Sequence, residues 1–209
     1  KLENYNFKGN QYFSTRQLEK YLTIQEDQPL SKTDLEKDLY WLNINPFRNV
    51  IALFSPGEKE GGTNIDFLVN DRRPLRAFAG IDNSGNDVIG NNRHYLGLNH
   101  GNIFWTDTQL DYQYMQSSNI DKFSAHTANL TVPLPWKNIL SLFGGYSKTE
   151  HAYYTVPSIH PEFKTSGWSM QTSGRYKIPL PFLKSFCMNL FSELILSAII
   201  ITLNSDSFR

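Results

Sequence analysis

Excess charge of either sign is missing from this chain of 209 residues: 20 Lys and Arg balance 20 Asp and Glu. Without a basic field nothing holds the phosphates of a nucleic acid or an anionic surface, so no nucleic-acid partner is expected. Cysteine is nearly absent. With Cys187 alone the chain makes no internal disulfide and no multi-cysteine metal site, and thiols give no reading of its compartment. Long apolar runs are lacking too. The longest, Leu194 to Leu203, is about half of the roughly 20 residues a spanning helix needs, so no transmembrane helix is expected. The chain opens at Lys1 with neither Met nor a signal peptide, which predicts a processed protein or a piece of a longer one.

Catalytic patterns are equally scarce. His94, His100, His126, His151 and His160 form no HxxxH or HxH pair, so a zinc site is not expected. No G-x-S-x-G elbow occurs, which argues against a hydrolase. Gly80 and Gly90 lack phosphate-loop spacing and read as strand or turn residues. No enzyme and no cofactor are expected. What the chain does have is 14% aromatic residues and 13 Gly, a balance that favours β structure with an unusual solvent boundary.

Residues 1 to about 73 read as a small mixed domain. Leu2 to Phe7 suits a strand with a turn at Lys8-Gly9-Asn10. Ser14 with Gln17 forms a capping-box pattern ahead of Leu18, Tyr21 and Leu22, and Ser31 with Asp34 repeats it ahead of Leu35, Leu39 and Leu42. Two helices follow from this, the second ended by Asn45-Pro46. Phe47 to Phe54 and Asn64 to Val69 read as strands around a loop marked by Ser55-Pro56-Gly57 and Gly61-Gly62. The expected order is β-α-α-β-β.

From about Pro74, in the part that runs to residue 209, the period changes from 3.6 to 2 and stays there for more than a hundred residues. Between Trp105 and Met115, Asp107, Gln109, Asp111 and Gln113 fall on one face, with Leu110, Tyr112 and Tyr114 on the other. The split recurs where Ser169, Gln171, Ser173, Arg175 and Lys177 alternate with Trp168, Met170, Thr172, Tyr176 and Ile178. Leu75, Ala77, Ala79 and Ile81 likewise oppose Arg76 and Asp82. Further strands are expected at Arg93 to Gly101, Ser124 to Val132 and Ile139 to Lys148. That makes about six strands of about 9 to 11 residues, the length of a tilted strand that crosses a bilayer.

The connections alternate as well. Gly101-Asn102, Pro133-Leu134-Pro135 and Pro179-Leu180-Pro181 are short, whereas Asn83 to Asn92, Gln116 to Lys122 and Thr149 to Gly167 are long and polar. Short turns on one side and long loops on the other predict the opening strands of an antiparallel outer-membrane barrel, with Trp105, Trp136 and Trp168 at the bilayer boundary.

Asn43-Ile44-Asn45-Pro46-Phe47-Arg48, Ser55-Pro56-Gly57, Gly61-Gly62-Thr63, Asp71-Arg72-Arg73-Pro74, Asp82-Asn83-Ser84-Gly85 and Gly90-Asn91-Asn92-Arg93 occur here in one fixed order. In these words and their spacing, from about residue 4 to about residue 185, the chain resembles the two-partner secretion transporters, the hemolysin secretion and activation proteins. The resemblance implies an α+β POTRA domain over 1–73, lying in the periplasm, followed over 74–209 by the first strands of an all-β pore in the outer membrane. It also implies the partners: an unfolded secreted protein such as a hemolysin or adhesin, and outer-membrane lipid.

Six or seven strands cannot close a lipid-facing barrel, so the chain is expected to be a fragment, lacking an upstream POTRA domain, most of the barrel, and the family's pore plug. By the same resemblance the substrate adds to a sheet edge, expected at Arg48, Asn49, Val50, Ile51, Ala52 and Leu53. The pore wall is expected to carry Asp107, Gln109, Asp111, Gln113, Ser169, Gln171, Ser173, Arg175 and Lys177. Asp71-Arg72-Arg73 reads as a charged linker with a contact at the junction as one possibility.

An assembly factor of the same superfamily, a soluble β-barrel binding protein and an inactive pseudogene product stay open as alternatives. The tail suggests the last of these. Leu194 to Ile201 does not alternate, and a one-base shift across Phe191 to Ser205, with permissive codons, reads like a family strand. A frameshift near Cys187 to Phe191 is therefore expected.

Overall fold

A computed structural model of the chain describes residues 1–86, 90–120, 122–154, 163–179 and 193–208. His160, Leu180-Pro181 of the third short connection, and the expected frameshift position at Cys187 to Phe191 lie outside the described residues. The chain is mostly β, and no described helix is long and apolar enough to cross a membrane. Its contacts divide it into two units, Lys1–Leu75 with Gly101–Gln109 and Pro133–Lys137, and Arg76–His100 with Leu110–Val132 and Asn138–Arg209.

The first unit begins with β1 (Leu2–Lys8), α1 (Thr15–Glu19), α2 (Lys32–Leu42), β2 (Arg48–Pro56) and β3 (Thr63–Asp71), the order expected from the sequence. β3 is central, parallel to β1 and antiparallel to β2, so β2 is an outer strand. Local chemistry starts both helices. The Ser14 N–H donates to Gln17 Oε1 at 2.9 Å, and the Asp34 N–H donates to Ser31 Oγ at 3.3 Å, each satisfying a donor that the first helical turn leaves over. α2 stops at Leu42, short of Pro46, because Asn43 turns its side-chain amide onto the Leu39 carbonyl at 2.9 Å.

The sheet and the helices bury Leu18, Leu42, Ile65 and Phe67 completely, with Phe7 stacked on Phe67 at 4.9 Å. Each such side chain contributes about 1.5–3 kcal/mol by leaving water. Asp71 is not part of a linker. It ends β3, and its carboxylate accepts the N–H groups of Gln11, Tyr12 and Phe13 at 2.8–3.0 Å, which pins the chain entering α1.

The remaining strands form one seven-stranded sheet in sequential order: β4 (Leu75–Asp82), β5 (Arg93–Ile103), β6 (Thr108–Ser117), β7 (Phe123–Pro133), β8 (Ile139–Tyr154), β9 (Phe163–Pro179) and β10 (Glu193–Phe208). β8 and β9 run 16 and 17 residues, beyond the length expected. They extend into the stretch read as the loop Thr149 to Gly167, where Ala152 and Tyr153 pair with Thr165 and Lys164.

The tail is a strand as well. Leu194, Leu196 and Ala198 stand opposite Ile178, Tyr176 and Gly174. A register shift then resets the phase, so that Ile201 and Leu203 stand opposite Thr172 and Met170. The shift inserts one extra residue into β10 and moves its alternation by one position, which accounts for the broken pattern of Leu194 to Ile201.

One face of this sheet is apolar and open. Ile81 is 70% exposed, and Leu96, Leu98, Leu142, Tyr146 and Met170 are exposed with it. A water-soluble sheet buries such a row, since exposed apolar patches on soluble monomers seldom exceed a few hundred Å². The opposite face carries Phe78, whose ring lies where a Cβ at Gly97 would stand, while the Tyr95 ring fills the same space over Gly80. Only glycine permits this close crossing of β4 and β5.

Candidate functional site

Three arrangements carry chemistry: the outer edge of β2, a buried polar cluster in the first unit, and the polar face of the seven-stranded sheet.

On β2 the residues expected to take a substrate separate into two groups. Arg48 and Val50 are buried, whereas Asn49, Ile51 and Leu53 are exposed, Ile51 and Leu53 each at 49%. Phe54 extends the open apolar stretch at 58%. The backbone edge divides at the same place. The Arg48 N–H bonds to the Asn45 carbonyl at 3.3 Å, and Asn43 grips Val50 from both sides, accepting its N–H at 2.7 Å and donating to its carbonyl at 2.9 Å. Arg48 and Val50 therefore offer no free edge, a correction to the expectation that the edge begins at Arg48. Antiparallel pairing with β3 continues without a register shift from Arg48 to Pro56. Alternate residues thus turn their N–H and C=O groups outward, and Ala52 and Phe54 follow Val50 in doing so.

Arg48 is held for another purpose. Its guanidinium donates Nη1 to Asp107 Oδ1 at 2.9 Å, Nη2 to Asp107 Oδ2 at 2.7 Å, and Nε to the Leu42 carbonyl at 2.5 Å. It lies 4.8 Å from the centre of the Phe13 ring and 5.6 Å from that of Tyr21. Asp107 also accepts from the Tyr21 hydroxyl at 2.8 Å and from Asn45 Nδ2 at 2.5 Å. A carboxylate and a guanidinium removed from water survive only with such a full set of partners. Burial, followed by the charge of Asp107, pushes the Tyr21 hydroxyl well above its ordinary range and keeps it a donor.

Asp107 is thus not on a pore-facing strand. β6 begins at Thr108, and the preceding turn bends through left-handed backbone at Phe104, Trp105 and Asp107 (φ 52°, 55° and 65°). Such conformations cost non-glycine residues about 1 kcal/mol or more each and persist where surrounding structure enforces them. Here Asn102 Oδ1 accepts the Asp107 N–H at 3.1 Å and a Gln17 Nε2 hydrogen at 3.0 Å, while Gln17 also donates to the Trp105 carbonyl. Gly101 and Asn102, expected to be the turn, are the end of β5. A Cβ at Gly101 would collide with the Phe47 ring.

A second ion pair has the same form. Asp38, fully buried on α2, accepts from Thr23 N at 2.8 Å, Thr23 Oγ1 at 2.6 Å, Ile24 N at 3.1 Å and Lys137 Nζ at 2.5 Å. Lys137 lies in the turn between β7 and β8, and its side chain keeps 19% of its exposure.

Sequence reasoning missed Asn43, Asn45, Tyr21, Asp38 and Lys137. Asn45, in an Asn-Pro step, carried the one local signal: its side chain accepts the Phe47 N–H at 3.0 Å and so forms the turn into β2.

The polar face gathers most of the other residues expected on it. Asp111 accepts from Asn99 Nδ2 at 2.6 Å and Asn129 Nδ2 at 3.4 Å, which ties β5, β6 and β7 together on one side. Gln171, Ser173 and Arg175 line a shallow depression of about 260 Å³ with Asn129, Ser141 and Phe143. Ser169 stands opposite Ser147 and Lys177 opposite Ile139 on that side. Gln109 and Gln113 are half-buried positions of β6 in phase with Asp111. On the other face the Tyr112 hydroxyl and His126 Nδ1 meet at 2.7 Å.

Known proteins share this architecture and parts of the sequence. The heme/hemopexin transporter protein HuxB of Haemophilus influenzae is 26% identical over 184 residues, covering 79% of this chain and 32% of its own. The chain therefore spans about a third of the length of the curated relatives it matches. CdiB from Escherichia coli matches in structure over 100% of this chain and 38% of its own, with a TM-score of 0.72 at 17% identity. BamA from Haemophilus ducreyi matches over 99% of this chain and 42% of its own, with a TM-score of 0.52 at 14% identity. The family model of the haemolysin secretion/activation protein ShlB/FhaC/HecB covers residues 61–178, more than half of the 209, and the chain belongs to that family of two-partner secretion transporters.

Proposed function

We propose that the chain is part of an outer-membrane translocator that exports a large secreted partner protein such as a hemolysin or adhesin. Residues 1–73 act as a periplasmic POTRA domain that takes up the unfolded partner along the outer edge of β2. Main-chain hydrogen bonds supply affinity there without demanding a sequence, and Ile51, Leu53 and Phe54 supply apolar contact. The strands from residue 74 onward belong to a pore wall. Asp111, Gln113, Gln171, Ser173 and Arg175 keep a passing chain hydrated, while Leu96, Leu98, Leu142 and Met170 face lipid. No catalytic group is needed for such work, whose driving force is the partner's folding outside the cell.

One observation carries the proposal: a sheet of seven strands whose large apolar side chains are exposed along one face while the other face is polar. Nitroxide labels on cysteines introduced at Leu142 and at Ser141, with Cys187 replaced by Ser, test it in phospholipid vesicles. The label at 142 is expected to relax with lipid-dissolved oxygen and the label at 141 with a water-soluble nickel chelate. Equal access to both reagents, or a chain that stays monomeric in plain buffer, leaves a soluble barrel instead. The similarity to BamA favours a second reading, assembly of other barrel proteins. It predicts that loss of the chain depletes outer-membrane barrels instead of a secreted protein.

A further inference from the structure

We propose that Asn43 is an end stop on β2, which fixes where an incoming strand begins to pair and limits it to a short apolar segment. The proposal rests on capture at β2 and names the residue that sets its register. The side chain of Asn43 presents a carbonyl and an amide to the Val50 N–H and carbonyl at 2.7 and 2.9 Å, the two bonds a neighbouring strand would make there. Before Val50, the Arg48 N–H is already bonded to Asn45 O. Beyond Val50, the outward backbone groups belong to Ala52 and Phe54, and Pro56 then ends the strand with a residue that has no N–H.

The open edge therefore consists of two residues between a side-chain stop and a proline. An added strand makes at most about five main-chain bonds there, two each with Ala52 and Phe54 and one to the Pro56 carbonyl, and so spans about five residues. Side chains decide which segments suit it. Ile51 and Leu53 are exposed on one face of β2 and Phe54 on the other. An incoming residue beside each completes an apolar cross-strand pair, so the fitting partner is an unfolded segment with apolar residues on both its faces, free of Pro. A short, unselective edge of this kind releases its segment readily, which suits a chain that must keep moving.

Residue-resolved hydrogen exchange of the full chain in detergent, with and without a reduced and carboxymethylated polypeptide that cannot fold, tests the stop. In the native sequence the polypeptide is expected to slow exchange at Ala52 and Phe54 by about tenfold and to leave Val50 unchanged, since that amide is already bonded. In Asn43→Ala the Val50 amide exchanges faster alone and becomes protected by the polypeptide. Asn43→Asp retains the acceptor and keeps Val50 indifferent, a control for the lost contact to Leu39. Protection of Val50 in the native chain equal to that of Ala52, or indifference of Val50 in Asn43→Ala, overturns the end stop. No protection at any of the three amides overturns capture at β2 itself.

Discussion

The two parts of this chain use apolar residues in opposite ways. Among the described residues, every fully buried large hydrophobic side chain lies between Leu2 and Val69, whereas Ile81, Leu96, Leu142 and Met170 are displayed on a face of the seven-stranded sheet. Their aromatic share is similar, but charged residues are about half as frequent after residue 73 as before it, and the period of the pattern changes. A 3.6-residue or mixed pattern lets helices close over a three-stranded sheet and exclude water from both. A dyad sustained over several strands leaves one face that no helix among the described residues covers, which suits a solvent other than water. Charges follow the same division. In the first unit two pairs are withdrawn from water, Arg48 with Asp107 and Asp38 with Lys137, while Asp111 stays exposed on the polar face, where it accepts from the amides of Asn99 and Asn129.

The sharpest way to break the first unit is to strand one of its buried charges. Asp107→Ala removes the carboxylate that Arg48 pairs with among the described residues and leaves the guanidinium beside the Phe13 and Tyr21 rings without that counter-ion, for an expected loss of about 3–5 kcal/mol. Urea unfolding followed by the emission of Trp41 measures it, and a loss below about 1 kcal/mol would mean that water reaches Arg48. The seven-stranded sheet is broken from outside. Leu142→Arg is expected to cost about 2–4 kcal/mol if position 142 sits near mid-bilayer, while Ser147→Arg on the opposite face costs less than about 1 kcal/mol. Unfolding from phospholipid vesicles compares the two, and equal costs contradict a lipid-facing row.

Much of the fold was legible because its signals are local. Ser14 with Gln17 and Ser31 with Asp34 mark the helix starts within four residues, and the alternation of Ser169 to Lys177 marks β9. Asp107 was not legible, and the reason is physical. The row Asp107, Gln109, Asp111 and Gln113 keeps its rhythm straight through the turn, because a left-handed backbone at Phe104, Trp105 and Asp107 leaves no mark in a pattern of polar and apolar letters. Part of what holds that turn is distant in sequence: Arg48, 59 residues before Asp107, and Gln17, 88 before Trp105. The division of β2 was hidden in a similar way: sequence locates a strand but not which residues turn their N–H groups outward, so Asn43 read only as part of the Asn43 to Arg48 stretch that resembles the family.

A smaller effect separates the two ion pairs within the first unit. Lys137→Ala leaves Asp38 with three donors, from Thr23 and Ile24, and Lys137 is partly open to water. The expected cost is about 1 kcal/mol, measured in the same urea titration, against the larger loss for Asp107→Ala. A cost equal to that of Asp107→Ala would place the two pairs on the same footing and remove the contrast between a closed and an open charge.

An effect of similar size is the most diagnostic of how dry the Asp107 cluster is. Tyr21→Phe deletes one donor while leaving Arg48 and Asn45 on the carboxylate, so at neutral pH it costs about 1 kcal/mol. Its pH dependence has a definite sign. Burial and the neighbouring Asp107 raise the Tyr21 hydroxyl above its ordinary value of 10.0, so the folded chain holds this proton more tightly than the unfolded chain does. The stability it contributes is fully present below pH about 10 and is lost as pH rises beyond that, when only the unfolded state releases the proton. The native chain should therefore lose stability between about pH 9 and 11 faster than Tyr21→Phe, and the gap between them should narrow. Urea midpoints for both chains across that range measure the gap. If it stays constant, Tyr21 ionises as freely folded as unfolded, which requires water beside Asp107.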